Sequence, residues 1–528
     1  MGGRFIKMKR NRSSLAVLIL VVFAVLALTL SGCSGKNETA GGESATLECW
    51  AQLNSAVALS VTNLADTPLL KEIMKKTGIN VKYIHPPQGQ GEEAFNLLLA
   101  SGDMPDIIEY NWYGFPGGPD KAINDGFITS LNDLIPQHAP NLHKYLQENP
   151  DVDKMLKTNS GNYYVFPFIR GDEYLLVFKG PIVRADWLEE LNIKEPETID
   201  DWYNMLKAFR DKKGASAPLA FKYEDLSTGI FGGAFGVKKD FYVENGKVKY
   251  GPVEPGYKDF LITLNKWYKE GLLDKNFASA DTNSIHANVL SDKTGAIFGF
   301  LGSDMGKLVS AADSKPGFKL LGVKYPTLKA GERPKFGHRD IAYSYSTSAA
   351  ISAGSDKKEL AARFLDYGYG SEGHMLYNFG IEGESYKINE NGYPEYTDLI
   401  LKNPDGWSIT QALAMYTRSV NGGPIIQDKR YMEQYLTLEE QRNALETWMD
   451  TDTIKYNLPR VVPKSEDSSE FQRIMNDVKT KGDEMLLKFI LGVESIDKFD
   501  DYVKSMKDLG IDRVIEIQQA ALELYESK

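Results

Sequence analysis

From residue 46 onward the apolar positions switch between a period of two and a period near 3.6. "TLECWAQL" reads as a strand. "DTPLLKEIMKKTG" reads as a helix, with Asp66 or Thr67 as cap, Pro68 in the first turn and Gly78 as the stop. "INVKYI" alternates as a strand, "EEAFNLLLASG" reads as a helix, and "PDIIEY" as a further strand. This β-α-β-α-β order predicts an α/β lobe with a mostly parallel sheet. Further on, Trp202, Met205, Leu206 and Phe209 share one helical face, as do Tyr257, Phe260, Leu261, Leu264 and Tyr268, with Gly271 ending the second helix. "DKKELAARFLDYG" opens on a capping-box-like Asp356…Glu359 pair and buries Leu360, Phe364 and Leu365. "GIDRVIEIQQAALELYESK" reads as a final docking helix. Internal repeats, low-complexity tracts and heptads are not found.

The first segment has a different pattern. "MGGRFIKMKRNRSS" is basic, "LAVLILVVFAVLALTL" is apolar, and Leu30, Ser31, Gly32 and Cys33 follow. Basic, apolar, then small residues is the order of an export signal. A membrane anchor or a cleavage site with an incidental cysteine are the alternatives. Cysteine directly after Leu-Ser-Gly resembles the bacterial lipobox, which makes residues 1–32 a lipoprotein signal peptide and Cys33 the lipid-modified residue. Residues 33–45 are then a flexible polar tether, and several acyl chains on one cysteine anchor stably where one would not.

Length changes the picture next: 528 residues exceed one simple core, so two or more lobes are expected. The formal charge of −11 becomes −16 once the five cations of residues 1–32 are removed. Such a surface argues against nucleic acid and anionic headgroups as partners, without excluding an anionic ligand beside a local Arg. Cys33 and Cys49 are too few for a disulfide framework.

Motifs of chemistry are mostly absent. There is no HExxH, GxSxG, paired CxxC or Walker loop. The GxGxxG at Gly368, Gly370 and Gly373 follows a helix, so it lacks the strand-to-helix turn of a dinucleotide site. Six His are scattered without ligand spacing, and no metal or other cofactor is expected. Two distant carboxylates of a glycosidase would not be visible in sequence, which keeps a secreted carbohydrate-active enzyme as an alternative. A receptor for a peptide or other solute is the second.

Three stretches carry a family resemblance over the whole mature chain. They are "DFYVENGKVKYGPVEPGYKDFLITLNKWYKEGLLDKNFAS", "YNFGIEGESYKINENGYPEYTD" and the ending "SIDKFDDYVKSMKDLGIDRVIEIQQAALELY", with "SAAISAGSDKKELAARFLDY" similar to a return crossing in the wider group. The chain resembles the extracellular solute-binding proteins of family 1, which serve sugar-importing ABC transporters, and within them the alginate-binding-protein-like branch. The resemblance implies an α/β, two-lobe periplasmic-binding-protein-like (type II) fold with hinge crossings and a central ligand cleft. It places residues 46–168 and 345–392 in a first lobe and 169–344 and 393–528 in a second. Crossings are expected at 161–178, 339–352 and near 390–400. Many members of the branch hold calcium after the helix matching 198–210. "RDKKGASAPLAF" there lacks the six to eight oxygens calcium needs, so that site is expected to be lost.

The implied function is an extracellular, lipid-anchored and monomeric receptor that captures an oligosaccharide, neutral or acidic, and delivers it to a permease without chemistry. A sugar presents an apolar C–H face and a hydroxyl rim, which suit aromatic rings and fixed polar groups respectively. In "DIIEYNWYGFPGGPDKA" a Gly/Pro-rich loop leaves a strand end carrying Trp112 and Tyr113, the stacking candidates, with Asn111 as a polar partner. Packing of those rings beneath the loop is the alternative. Trp50 is a similar candidate against core packing. Arg170 and Glu173 fall on the first crossing, and Arg339, Tyr343 and Tyr345 on the return crossing, where alternation puts both tyrosines on one face. Phe300 and Asp304 follow an apolar strand, and Glu382 and Tyr386 stand in a cleft-rim candidate, "FGIEGESY". Trp202 and Trp267 are assigned to core.

Overall fold

The computed structural model describes residues 46–528. The signal segment, the lipidation of Cys33 and the tether lie outside the described residues. Strands β1 (Thr46–Ala51), β2 (Asn80–Ile84) and β3 (Ile107–Tyr110) form where the period-two runs predict them, and β1 lies parallel to both others. In register, Cys49 faces Ile107 and Trp50 faces Ile108. The intervening helices are Pro68–Thr77 and Gly91–Ser101. Thr67, not Asp66, caps the first: its Oγ1 accepts the Leu70 N–H at 3.2 Å, and Gly78 closes the helix at φ 68°.

Two sheets organise the rest. Strand β4 (Phe166–Arg170) belongs to the first sheet and β5 (Lys179–Arg184) to the second, so the chain crosses between them at 171–178, inside the predicted segment. The second sheet is completed by β6 (Leu219–Ala220) and, beyond a hairpin of β7 (Phe241–Glu244) and β8 (Lys247–Tyr250), by β9 (Ala296–Phe300) and β10 (Leu320–Gly322). The chain returns as β11 (Tyr343–Ile351), antiparallel to β3 and β4, with a bulge against β4 between Ser344 and Ala349. A small hairpin, β12 (Tyr386–Ile388) with β13 (Pro394–Tyr396), precedes β14 (Ile425–Gln427), which lies parallel to β4. Strand orders are β14-β4-β11-β3-β1-β2 and β10-β5-β9-β6.

Each sheet has its own hydrophobic core. Leu47, Ile108, Leu142, Phe166 and Ile351 represent the first; Trp202, Phe209, Leu264, Phe298 and Val514 represent the second. The helices Ile199–Lys213 and Pro255–Lys269 bury the faces read from sequence, and Ile511–Glu526 docks on the second core through Ile511, Val514 and Leu522. Two expectations need correction. The helix Lys358–Asp366 starts at Lys357 with no side-chain cap, so the Asp356…Glu359 capping box does not form. The third crossing is also not a single passage near 390–400. Phe379, Tyr386 and Tyr396 pack into the second core, Ala414, Met415 and Ile425 return to the first, and Tyr431 and Met432 rejoin the second. A three-residue strand such as β14 is too short to leave a periodic signal, so residues 393–528 read as belonging wholly to the second lobe.

Candidate functional site

The carboxyl ends of parallel strands are the usual ligand position in an open α/β sheet. Here the chain leaving β1 supplies Gln52 and Asn54, and β3 ends in Glu109 and Tyr110. With Thr347, Arg418, Asn421 and Gly422 these line an inner recess of about 150 Å³. Its floor is an ion pair: Arg418 Nη2 donates to Glu109 Oε1 at 2.8 Å. Arg418 is 6% exposed. Burial opposes its charge, but Glu109 together with the neighbouring Tyr83 and Tyr377 raises the guanidinium pKa further. Arg418 Nη1 and Asn421 Oδ1 are shut off from solvent and have no hydrogen-bond partner.

The turn 418–423 explains this closeness. Gly422 and Gly423 take φ of 74° and 98°. A Cβ on Gly422 would stand 2.4 Å from Thr347 Oγ1, and one on Gly423 would stand 2.1 Å from Arg418 Nη1. The Gly423 N–H donates to Thr347 Oγ1 at 2.9 Å, which ties the turn to the bulged stretch of β11.

Thr347, Asn421 and Gly422 also border an outer recess of about 370 Å³, so the two recesses form one cleft. Its walls come from both cores. Phe168 and Arg170 are on β4, Phe178 ends the first crossing, Phe300 ends β9, and Tyr431 and Tyr435 project from the helix Lys429–Tyr435. Phe178 and Phe300 lie nearly parallel, with centroids 6.0 Å apart and planes at 7°. The Arg170 guanidinium sits over Phe168 and Phe178, at 5.2 and 4.9 Å from their centroids. Its Nε donates to Asp340 at 3.0 Å and its Nη1 to Gln427 Oε1 at 3.2 Å. Gln427 is itself held by donating to Ser419 O at 2.6 Å. Behind Phe300, Lys179 Nζ is 4.5 Å from the ring centroid and paired with Asp225. Burial raises the Asp225 pKa, against the pull of Lys179.

Arg170 and Phe300 therefore line the cleft as residues singled out in the sequence. The other candidates lie elsewhere. Trp112 is 1% exposed: a short 3-10 turn folds its indole back over β3, where Nε1 donates to Ile108 O at 3.1 Å and the ring meets Phe95 edge-on at 5.2 Å. Trp50, 4% exposed, packs on Phe95 and Tyr110. Asn111 caps that same turn by accepting the Gly114 N–H. Tyr343 and Tyr345 do share a face, with rings 4.1 Å apart, but that face is core, and Tyr343 Oη meets Tyr164 Oη at 3.1 Å. Asp304 is buried, accepts the Phe300 N–H and faces His286 Nε2, both at 2.7 Å. Burial would raise its pKa, but these two contacts hold it below the usual carboxylate range. Glu382 bridges to Tyr386 through backbone, and the Tyr386 ring packs on Phe379 at 5.8 Å. Neither lines the cleft.

Tyr113 and Arg339 line a different recess, of about 490 Å³, with His338, Asp340 and Arg460. Tyr113 donates to Val461 O at 2.9 Å, and burial pushes its phenol up to about 12. Arg339 pairs with the exposed Glu173 at 3.4 Å. Among the described residues no group of three or more His, Cys, Asp or Glu is placed to hold a metal, and no helix is long and apolar enough to cross a membrane. In the last turn of the helix Ile199–Lys213, Asp211 is taken by Arg210 Nε at 2.7 Å.

A family model described as bacterial extracellular solute-binding protein matches residues 61–375. The chain belongs to that family. It is similar to lipoprotein LipO of Bacillus subtilis (strain 168), 26% identical over 524 residues that cover 95% of this chain and 97% of that protein. It is also similar to the fructooligosaccharide ABC transporter substrate-binding protein FusA of Streptococcus pneumoniae serotype 4, 24% identical, with 98% of each chain covered. Among solved structures, the alginate-binding protein AlgQ2 without calcium ion superposes with a TM-score of 0.74 at 26% identity, covering 90% of this chain and 98% of that one. FusA in complex with kestose superposes with a TM-score of 0.72 at 22% identity, covering 92% and 100%. The fold is that of periplasmic-binding-protein-like solute-binding proteins.

Proposed function

We propose that the chain is the substrate-binding component of an ABC importer, anchored through lipid on Cys33, which captures an oligosaccharide in the cleft and hands it to the membrane permease. The observation that carries this reading is the composition of the cleft. Phe168, Phe178, Phe300 and Tyr435 offer flat apolar faces, while Thr347, Asn421 and Gln427 offer fixed hydroxyl and amide groups. That pairing matches the C–H face and hydroxyl rim of a sugar. Relatives named for fructooligosaccharide, alginate and polygalacturonan support a carbohydrate.

Ligand contacts drawn from both cores favour closure of one lobe on the other, and a permease that engages the closed form distinguishes loaded from empty receptor. A receptor rather than a glycosidase is supported by the lining itself. Glu109 is the one carboxylate on the two recesses, and Arg418 occupies it, whereas glycoside hydrolysis uses a carboxylate pair. The test is incubation of the purified chain with oligosaccharide panels. Saturable binding with a raised melting temperature and no released product is expected; steady product release would overturn the reading.

A further inference from the structure

The cleft lining carries three charged side chains, Arg170, Glu109 and Arg418. None is free to neutralise a ligand. Glu109 takes Arg418 at 2.8 Å, and Asp340 takes Arg170 at 3.0 Å. Lys179, beneath Phe300, is held by Asp225. Lys222, 5.9 Å from the same ring centroid, has Glu224 at 3.9 Å, so each cation in or under the cleft faces a carboxylate of its own. A uronate entering here would surrender its hydration without gaining an unpaired cation, and would meet the Glu109 and Asp340 carboxylates close by. The diffuse field points the same way, since the chain without residues 1–32 carries a formal charge of −16. What remains unmet is suited to hydroxyls: Arg418 Nη1 is a donor without an acceptor, and Asn421 Oδ1 is an acceptor without a donor. Both belong to residues lining the inner recess. A hydroxyl can serve either, because it donates and accepts. A carboxylate accepts only, and would leave Asn421 Oδ1 unanswered.

We infer that the ligand is a neutral oligosaccharide and that uronic-acid chains are rejected. This rests on the oligosaccharide reading above. The test uses the full chain in detergent micelles and calorimetric titration with matched pairs: oligogalacturonates and oligomannuronates, each beside its carboxyl-reduced neutral counterpart of the same linkage and length, together with neutral fructo- and gluco-oligosaccharides. At least one neutral series is expected to bind, at least tenfold tighter than any uronate, with a Kd that changes less than twofold between 50 and 500 mM NaCl. A uronate that binds tighter than its reduced counterpart would overturn the neutral assignment and leave the sugar receptor standing. Failure of all panels would overturn both. As a second arm, Asp340→Asn releases Arg170 and is expected to raise the uronate-to-neutral affinity ratio about tenfold. An unchanged ratio would show that paired charge is not what excludes acids.

Discussion

Two recesses border the crossings between the cores, and they differ in what their polar groups are doing. In the cleft of Phe178, Phe300 and Arg418, charges are paired, rings stand open, and two buried polar atoms lack partners. The recess of Tyr113, His338 and Arg339 is of similar size and also holds two buried atoms without partners, His338 Nε2 and Gln518 Oε1. Yet it offers no stacked pair of open rings, and its main polar side chains are committed to the protein. Tyr113 reaches Val461 O, Arg339 reaches Glu173, and Arg460 lies over the Tyr345 ring at 5.1 Å. Size therefore does not mark the binding site. A ligand needs open ring faces beside hydrogen-bonding groups that the fold has left unused, and that combination lies in the cleft. The comparison predicts that changes around the cleft alter binding and that changes around the second recess, Asp340 apart, alter stability alone.

The largest expected effect is at the base of the cleft. Glu109→Ala strips the buried Arg418 of its counter-charge and is expected to cost about 3–5 kcal/mol of stability, read by urea denaturation, because an uncompensated buried charge is left behind. Sugar binding should fall with it. A loss below 1 kcal/mol would mean that Arg418 finds water, and that the inner recess is wetter than its geometry implies. Trp112→Ala serves as the control for aromatic rings outside the cleft. The indole is enclosed beside Phe95, so about 3–5 kcal/mol of stability should be lost while the affinity of the folded fraction is retained.

Trp112 also shows where sequence reading stopped. The strands and helices of the first core were legible because period-two and period-3.6 runs are long there, and Thr67 and Gly78 punctuate them. The family-level picture of two sheets, with crossings at 161–178 and 339–352, holds on β4, β5 and β11. Which aromatic faces ligand was not legible. A Gly/Pro loop signals a surface turn, but one 3-10 turn sends Trp112 inward, and only tertiary packing decides that direction. Arg418 and Glu109 stand 309 positions apart, and neither lies in a motif; "NGG" at 421–423 was the single local hint, as glycines allow the tight approach to Thr347 and Arg418.

The second recess has its own signature in pH. His338 Nε2 is shut off from solvent without a partner, and burial lowers the imidazole pKa to about 4. The folded pKa lies below the unfolded value near 6.5, so the folded state favours the neutral ring. That contribution is complete above pH 6.5 and is lost as pH falls toward 4, where the unfolded chain binds a proton that the folded chain resists. Stability should drop by about 1–3 kcal/mol across that window, and His338→Gln should flatten it, while the affinity for sugar at pH 7 stays within twofold. A parallel loss of affinity would place His338 in contact with ligand and undo the comparison.

Phe300→Ala sharpens the same contrast from the cleft side. The ring is half-buried, parallel to Phe178 and backed by Lys179. Its removal should weaken sugar binding by about 1–3 kcal/mol, taking base–aromatic stacking as the analogue, with a smaller effect on stability. Equal losses in binding and stability would class it with Trp112.

The smallest effect belongs to Arg339→Gln. Arg339 sits on the return crossing beside Asp340, so its position alone would suggest a ligand contact. Its partner Glu173 is 71% exposed, however, and an ion pair with so open an end is screened by water and salt. The substitution should change stability by less than about 1 kcal/mol and affinity by less than twofold. Asp340, one residue on, lines the same recess but pairs with Arg170, which lines the cleft. If Arg339→Gln weakens binding as strongly as Phe300→Ala does, the two recesses are one site, and the paired charges of the cleft describe only half of what the ligand meets.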